Sequence, residues 1–443
     1  MQSILEMSAS DLGREIDAGM LDPVEIIEAY LEATTAHPEA KRIYTIMTPK
    51  RALAEAEMAS QRARSGERLS VLDGVPISWK DLFDTAGYVT EAGSDLLAGR
   101  IPEKDALCLR NATAVGLVCL GKTHMSELAF SGIGLNPVKE TPPCINFPDT
   151  VPGGSSSGAG ASVAFGLSPA AIGSDTGGSV RIPAAWNDLV GLKTTSGLIS
   201  LEGVVPLCAS FDTVGPLTKT VEDAAHIFTA LAGQRAMDLA NASLSGRRLA
   251  ILKGDLFDVT RNAPAQAFQE SVEKFAKAGA EIREVTLDFL SDANTMGGPL
   301  FVGEAYGTWK HVIEAAPEKM FAPICDRFRQ GKDVSAADFV AGWQQLERYR
   351  AEFKSLTNGF DAVICPTAPI MPPKIDRLFS DDQYYVTENL FSLRYTRIAN
   401  LMGTCAVTLP TGYPSCGVML AAGAFEERRL LRLAMGAELA LTR

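Results

Sequence analysis

Two stretches rich in glycine and serine hold the residues best suited to chemistry. The first is Pro152-Gly153-Gly154-Ser155-Ser156-Ser157-Gly158-Ala159-Gly160. The second is Gly173-Ser174-Asp175-Thr176-Gly177-Gly178-Ser179-Val180-Arg181-Ile182-Pro183-Ala184. Gly/Ser runs commonly serve as flexible linkers. Here both are flanked by small apolar residues rather than by disorder-promoting charge, which argues against a linker. Glycines ahead of a helix can cradle phosphate. The pattern G-x-x-x-x-G-K-[ST] is absent, however, and Val163 stands where G-x-G-x-x-G requires its last glycine. Gly154-Ser155-Ser156-Ser157-Gly158 formally matches the nucleophile elbow G-x-S-x-G, which needs an apolar strand directly before it. Asp149-Thr150-Val151-Pro152 is a poor strand.

A serine hydroxyl becomes a useful nucleophile only when a base removes its proton. Histidine is scarce: the chain has His37, His124, His226 and His311, none with the close partner of a helix-borne metal motif, and none follows His311. His124, next to a strand end, reads as a locally satisfied histidine. A lysine can serve as base when burial lowers its pKa. Lys80 ends the mostly apolar run Val75-Pro76-Ile77-Ser78-Trp79, where a charged amine is out of place unless its head reaches water. A glycine-rich turn also leaves backbone N–H groups free to converge on an oxyanion, and Thr176-Gly177-Gly178-Ser179 fits that need.

These residues require a scaffold. Asp22-Pro23-Val24-Glu25 is a helix start, with Asp22 as N-cap and Pro23 in the first turn. Residues 50–64 predict a second helix and residues 75–80 a strand. Helix 105–115, strand 117–121, helix 159–166 and strand 169–174 then alternate. The alternation resumes with strand 248–253, helix 264–278 and strand 282–285. Residues 300–356 read as helical, 362–364 and 406–409 as strands, and 430–441 as a closing helix. Ser156 and Ser157 are expected to cap the helix after the first cluster. The pattern predicts an α/β fold: one large domain over residues 1–443, with a mixed, largely parallel central sheet covered by helices on both faces. Residues 1–65 form a helical N-terminal segment and residues 70–220 the core carrying the chemistry.

At 443 residues the chain has room for about three domains of roughly 150 residues, but strands lie on both sides of its clearest composition break, near 238–247. With 46% apolar and 21% charged residues it matches globular proteins rather than disordered ones. Its net charge of −12, with no Lys/Arg run, disfavours binding to a phosphate backbone. The eight cysteines show no CxxC pair and read as small buried hydrophobes of a reducing compartment. The opening residues lack a signal-peptide pattern, and no stretch is long and apolar enough for a membrane span. A cytoplasmic location is expected.

Lys80 and the two clusters together resemble the amidase signature family. Asp73-Gly74-Val75-Pro76-Ile77 before Lys80-Asp81 is similar to the family's lysine segment. Gly121-Lys122-Thr123-His124-Met125-Ser126-Glu127, Gly191-Leu192-Lys193, Asp212-Thr213-Val214-Gly215-Pro216, Cys365-Pro366-Thr367 and Leu409-Pro410-Thr411-Gly412 resemble further landmarks. The resemblance implies an amidase using a Ser–cis-Ser–Lys triad. Ser179 would be the nucleophile, Ser155, with a cis peptide on its N-terminal side, the proton bridge, and Lys80 the base. The N–H groups of Thr176, Gly177, Gly178 and Ser179 would form the oxyanion hole. Gly153, Gly154, Asp175 and Arg181 would support the site, with a direct substrate role less expected for Arg181. It implies no metal or other cofactor, a small amide as substrate, no nucleic acid or membrane partner, and a homodimer at the level of the family.

Three departures stand out: Trp79 before the lysine, which could reshape the pocket, Thr194 after Leu192-Lys193, and Trp186-Asn187 after Pro183-Ala184-Ala185. Two other readings remain. One is the glutaminase subunit of the tRNA-dependent amidotransferase, from which Ile182 departs. The other is a catalytically silent scaffold, which the intact triad argues against. Substrate choice is expected to reside in residues 125–150 and 290–400. Phe130, Tyr306, Trp309 and Tyr395 are candidates there, each reading more readily as core. Ser131 and Ser174 have no assigned role.

Overall fold

The computed structural model describes residues 3–442; Met1, Gln2 and Arg443, the outermost residues of the expected domain, lie outside them. Eleven strands form one sheet among the described residues: β1 (Tyr44–Met47), β2 (Pro76–Lys80), β3 (Val118–Thr123), β4 (Ala170–Asp175), β5 (Val190–Lys193), β6 (Thr213–Thr218), β7 (Arg248–Lys253), β8 (Glu281–Thr286), β9 (Ala362–Pro366), β10 (Cys405–Pro410) and β11 (Gly417–Ala422). Their spatial order is β1-β3-β2-β4-β6-β5-β10-β11-β9-β7-β8. Helices flank this sheet, so the fold is a single α/β domain with a mixed sheet.

The sheet is less parallel than the sequence suggests. Four neighbouring pairs run parallel: β3 and β4 each beside β2, and β8 and β9 each beside β7. Six run antiparallel, and each of these contains β1, β5, β6 or β11. Those four strands carry weak local signals. β1 and β5 have four residues each, β6 contains Gly215 and Pro216, and β11 reads Gly-Val-Met-Leu-Ala-Ala, a composition equally suited to a helix. The N-terminal segment is likewise not wholly helical, because β1 sits inside it.

Helix Pro23–Ala36 begins as expected: the Asp22 carboxylate accepts from the Val24 N–H at 2.9 Å, with Pro23 in the first turn. Helix Pro49–Ser65 ends on Gly66, whose φ of 74° suits glycine. The helix after the first cluster spans Ser157–Ala164 and is made of small residues because it lies against backbone. A Cβ on Gly158 would stand 2.5 Å from the Ile43 carbonyl oxygen and 2.7 Å from the His124 nitrogen. Ser156 and Ser157 do not cap it. The Ser156 hydroxyl donates to the Ser174 carbonyl at 3.2 Å and Ser157 to that of His124 at 3.3 Å, so both tie the helix to neighbouring strands. Residues 300–356 divide among helices Phe289–Ala315, Ala322–Arg329 and Ala336–Thr357.

Lys80 closes β2 and Asp175 closes its parallel neighbour β4, so both reach the same edge of the sheet. That edge, at the carboxyl ends of parallel strands, is where open α/β sheets place their ligands. Alternation along β2 puts Ser78 and Lys80 on one face and Trp79 on the other. Ser78 meets Ser162 of helix Ser157–Ala164 at 2.8 Å, while Trp79 packs edge-on against Phe83 with ring centroids 5.3 Å apart. Trp79 is therefore core and does not shape the space beside Lys80. All eight cysteines are buried and unpaired. No helix among the described residues is long and apolar enough to cross a membrane.

Candidate active site

β2 delivers Lys80 into a fully enclosed position between β3 and β4. Its Nζ lies 2.7 Å from Ser155 Oγ and 2.7 Å from Ser174 Oγ. Burial, partly offset by the charges of Asp212 and Asp175, lowers its pKa to about 7. The amine is therefore substantially neutral at physiological pH and able to take a proton. Ser155 follows Gly154 through a cis peptide bond. Gly154 has no room for a side chain: a Cβ would meet the Gly134 nitrogen and Ser126 Oγ, both at 2.6 Å.

Ser179 sits in the turn between β4 and helix Arg181–Trp186, with 4% of its surface exposed. The Ser156 N–H donates to the Ser179 carbonyl at 3.2 Å, which fastens the two serine-bearing loops together. Ser179 opens onto a narrow cavity of about 30 Å³, lined also by Thr176, Gly177, Phe130, Ser131, Phe301, Arg327 and Arg397. Thus Lys80, Ser155 and the Ser179 loop, far apart in sequence, converge at one edge of the sheet. Of the four specificity candidates, only Phe130 lines this cavity. The Trp309 indole donates to the Pro206 carbonyl at 2.8 Å, Tyr395 is buried against Phe257, and Tyr306 meets Glu314 at 3.1 Å. A larger cavity, about 710 Å³, lies beside Lys193, Arg350 and Phe425 and contains none of Lys80, Ser155 and Ser179.

The Asp175–Arg181 pair shapes the turn that carries Ser179. Both side chains are wholly buried, and Arg181 Nη2 and Nε reach the two carboxylate oxygens at 2.8 and 3.0 Å. The same carboxylate accepts the Gly178 N–H at 2.9 Å and the Val180 N–H at 3.1 Å. Burial would raise the Asp175 pKa, but the charge and hydrogen bonds of Arg181, the Lys193 charge and the Asn400 hydrogen bond together outweigh it and hold the carboxyl well below the usual range. The expected set of four oxyanion donors loses one member. The Gly178 N–H is spent on Asp175, which leaves Thr176, Gly177 and Ser179 as candidate oxyanion donors. Gly178 is still required as glycine: its φ is 143°, and a Cβ would stand 2.2 Å from Thr396 Oγ1. Arg181 is occupied as well, donating to the Thr396 carbonyl and to Asn400 Oδ1, both at 2.7 Å.

Several contributors escape the sequence reading. Ser174 is the second hydroxyl on Lys80, and its only sequence signal is its place at the end of a strand. Asp212 accepts from the Thr176 hydroxyl and from the N–H groups of Leu207 and Cys208, bracing the turn from β6's side. Thr396 donates to the Gly177 carbonyl at 2.7 Å. Arg327 and Arg397 lie on short helices with no distinguishing local pattern. His124 is buried and kept neutral, its pKa lowered by burial to about 4.

The Asp175 pair gives a stability prediction. Asp175→Ala leaves the Arg181 guanidinium buried without its counter-charge, which should cost about 3–5 kcal/mol in urea unfolding. A loss below about 1 kcal/mol would show that the pair does not hold the turn.

Known proteins resemble this chain over nearly its whole length. The family model described as Amidase matches residues 25–431. A 2-amino-5-chloromuconic acid deaminase from Comamonas testosteroni is 33% identical, over 98% of this chain and 96% of its own length. A glutamyl-tRNA(Gln) amidotransferase subunit from Streptomyces coelicolor is 30% identical, over 99% and 97% respectively. A crystal structure of an amidase superposes with a TM-score of 0.87 at 27% identity, over 98% of this chain and 99% of the other. The chain belongs to the amidase signature family and is an enzyme that hydrolyses amide carbon–nitrogen bonds.

Proposed function

We propose that this chain is a free-standing amidase acting on a small amide through a serine acyl-enzyme. The observation that carries the reading is the 2.7 Å contact between a buried, largely neutral Lys80 and Ser155. Ser179 Oγ attacks the amide carbonyl carbon. Its proton passes to Ser155 Oγ, whose own proton passes to Lys80 Nζ. The N–H groups of Thr176, Gly177 and Ser179 stabilise the oxyanion of the tetrahedral intermediate. Collapse breaks the C–N bond, and the departing amine takes back a proton along the same relay. Water then attacks the acyl-enzyme by the reverse path, releasing carboxylate and free Ser179. Ser174 holds the lysine amine toward Ser155.

The similarity to a glutamyl-tRNA(Gln) amidotransferase component over nearly the whole chain supports a second reading, a glutaminase that works within a complex. The two differ in what the isolated chain does.

Ammonia release by the isolated chain, measured on aliphatic, aromatic, dicarboxylic and urea-like amides and on glutamine, separates them. Turnover of one of the first four classes, falling on the order of 10⁴-fold or more in Ser179→Ala and in Lys80→Ala, is expected. Activity retained in either variant would overturn its assigned role. Turnover confined to glutamine and dependent on added partner chains would favour the second reading.

The pH dependence carries its own sign. Only the neutral amine acts as base, so kcat/KM should fall about tenfold per unit as pH drops below about 7. A rate flat from pH 8 to pH 5 would show that no group like Lys80 limits the attack.

A further inference from the structure

The cavity at Ser179 contains two positive charges that the hydrolytic relay does not use. Arg397, 8% exposed, belongs to helix Thr396–Leu401. Arg327, partly buried, belongs to helix Ala322–Arg329. Both line the cavity that Ser179 enters. Other well-buried guanidiniums of this protein are matched by carboxylates: Arg181 by Asp175, and Arg51 by Asp105 and Glu55. Arg327 and Arg397 form no ion pair among the described residues.

Their donors are also largely unspent. Arg327 Nη1 gives one bond, 2.8 Å to the Phe130 carbonyl, and its guanidinium lies over the Phe130 ring at 4.2 Å. Arg397 lies 5.8 Å from the Phe301 ring centroid, and its side chain donates to no protein acceptor among the described residues. Burial lowers the pKa of Arg327 to about 10; burial together with the charge of Arg327 lowers that of Arg397 to about 9. Two guanidiniums of like charge at the wall of a small cavity are stabilised by an anion placed between them. Elsewhere the wall offers apolar contact from Phe130, Leu207, Phe301 and Leu393 and the hydroxyls of Ser131 and Thr176, with no negative charge.

We propose that Arg327 and Arg397 bind a carboxylate on the acyl side of the substrate, so that the enzyme acts on monoamides of short dicarboxylic acids. Planar guanidiniums match a carboxylate with paired N–H donors. The clamp would fix one end of the acyl chain while the amide carbonyl at the other end meets Ser179. The narrow cavity favours a short chain between the two groups. The inference rests on Ser179 being the nucleophile, since that places the acyl group in this cavity. The acid released when water cleaves the acyl-enzyme would then carry two carboxylates, one still held by the arginines.

Binding and turnover are tested separately. Succinate is titrated calorimetrically into full-length Ser179→Ala and into the double variants Ser179→Ala/Arg397→Met and Ser179→Ala/Arg327→Met. Saturable binding to the single variant, weakened at least about 30-fold by either methionine, is expected. Equal affinity in all three, or no binding to Ser179→Ala, would overturn the clamp whatever the catalytic roles. In the enzyme with Ser179 intact, kcat/KM is compared for succinamate and its neutral counterpart butyramide. The succinamate-to-butyramide ratio should fall at least about 30-fold in Arg397→Met, with partial recovery in Arg397→Lys. A constant ratio would overturn the proposal. Thermal unfolding of each variant identifies misfolded proteins, and the lysine variant keeps the test usable if methionine disturbs the fold. Labelling of the wild type by a fluorophosphonate, absent in Ser179→Ala, reports on the nucleophile separately.

Discussion

The site depends on an amine held away from water. Three lysines are fully buried among the described residues: Lys80, Lys122 and Lys193. Their partners separate them. Lys122 pairs with the Asp81 carboxylate and donates to the Val89 carbonyl as well as to the Thr90 hydroxyl, and Lys193 donates to the carbonyls of Thr194 and Thr404. Carboxylates and carbonyls only accept, so they favour the protonated amine. Lys80 meets two hydroxyls, and a hydroxyl can donate to a neutral amine as readily as it accepts from a charged one. Burial selects the neutral form, and the hydroxyls leave a path for its proton. The arrangement weakens the fold at every pH below the ordinary lysine pKa of 10.5. With the folded pKa near 7 against 10.5 in the unfolded chain, the folded state binds fewer protons between those values. Stability from this group therefore rises with pH across that window, and the penalty is complete below it.

Around that amine the polar groups act as one connected unit. Asp175 fixes the turn from within, and Arg181 carries its charge outward to Thr396 and Asn400. Thr396 returns a bond to Gly177, so helix Thr396–Leu401 and the Ser179 turn are set against each other. Arg397 occupies the next position on that helix. The residue proposed to hold the substrate's carboxylate is thus positioned by the same bonds that position Ser179. A change at Asn400 or Thr396 would be felt at both.

The sequence exposed the chemistry more fully than the architecture. Lys80 is legible through its resemblance to the family's lysine segment, since its apolar run alone fits a strand-end lysine reaching water, and the two serine loops through glycines that no linker or phosphate motif explains. The parallel strands were legible because helices separate them. The strands that make the sheet mixed were not: β5 and β6 are short or contain glycine and proline, and their identity as strands comes from pairing with β4 and β10. Ser174 is not legible because a serine in a strand carries no mark of what lies across from it. Arg327 and Arg397 are not legible either, because their meaning is the absence of a carboxylate nearby, which only the folded chain reveals. The spent N–H of Gly178 belongs to the same class, since a donor's availability depends on which acceptor reaches it first.

The account stands on the protonation state of Lys80 in the folded enzyme. The direct measurement is the pH titration of its Cε resonance in protein labelled with carbon-13 at the lysine ε position, assigned by comparison with Lys80→Met. A midpoint near 7 is expected. A midpoint near the ordinary lysine value of about 10.4 would contradict it, because a permanently charged Lys80 has no place for a proton from Ser155.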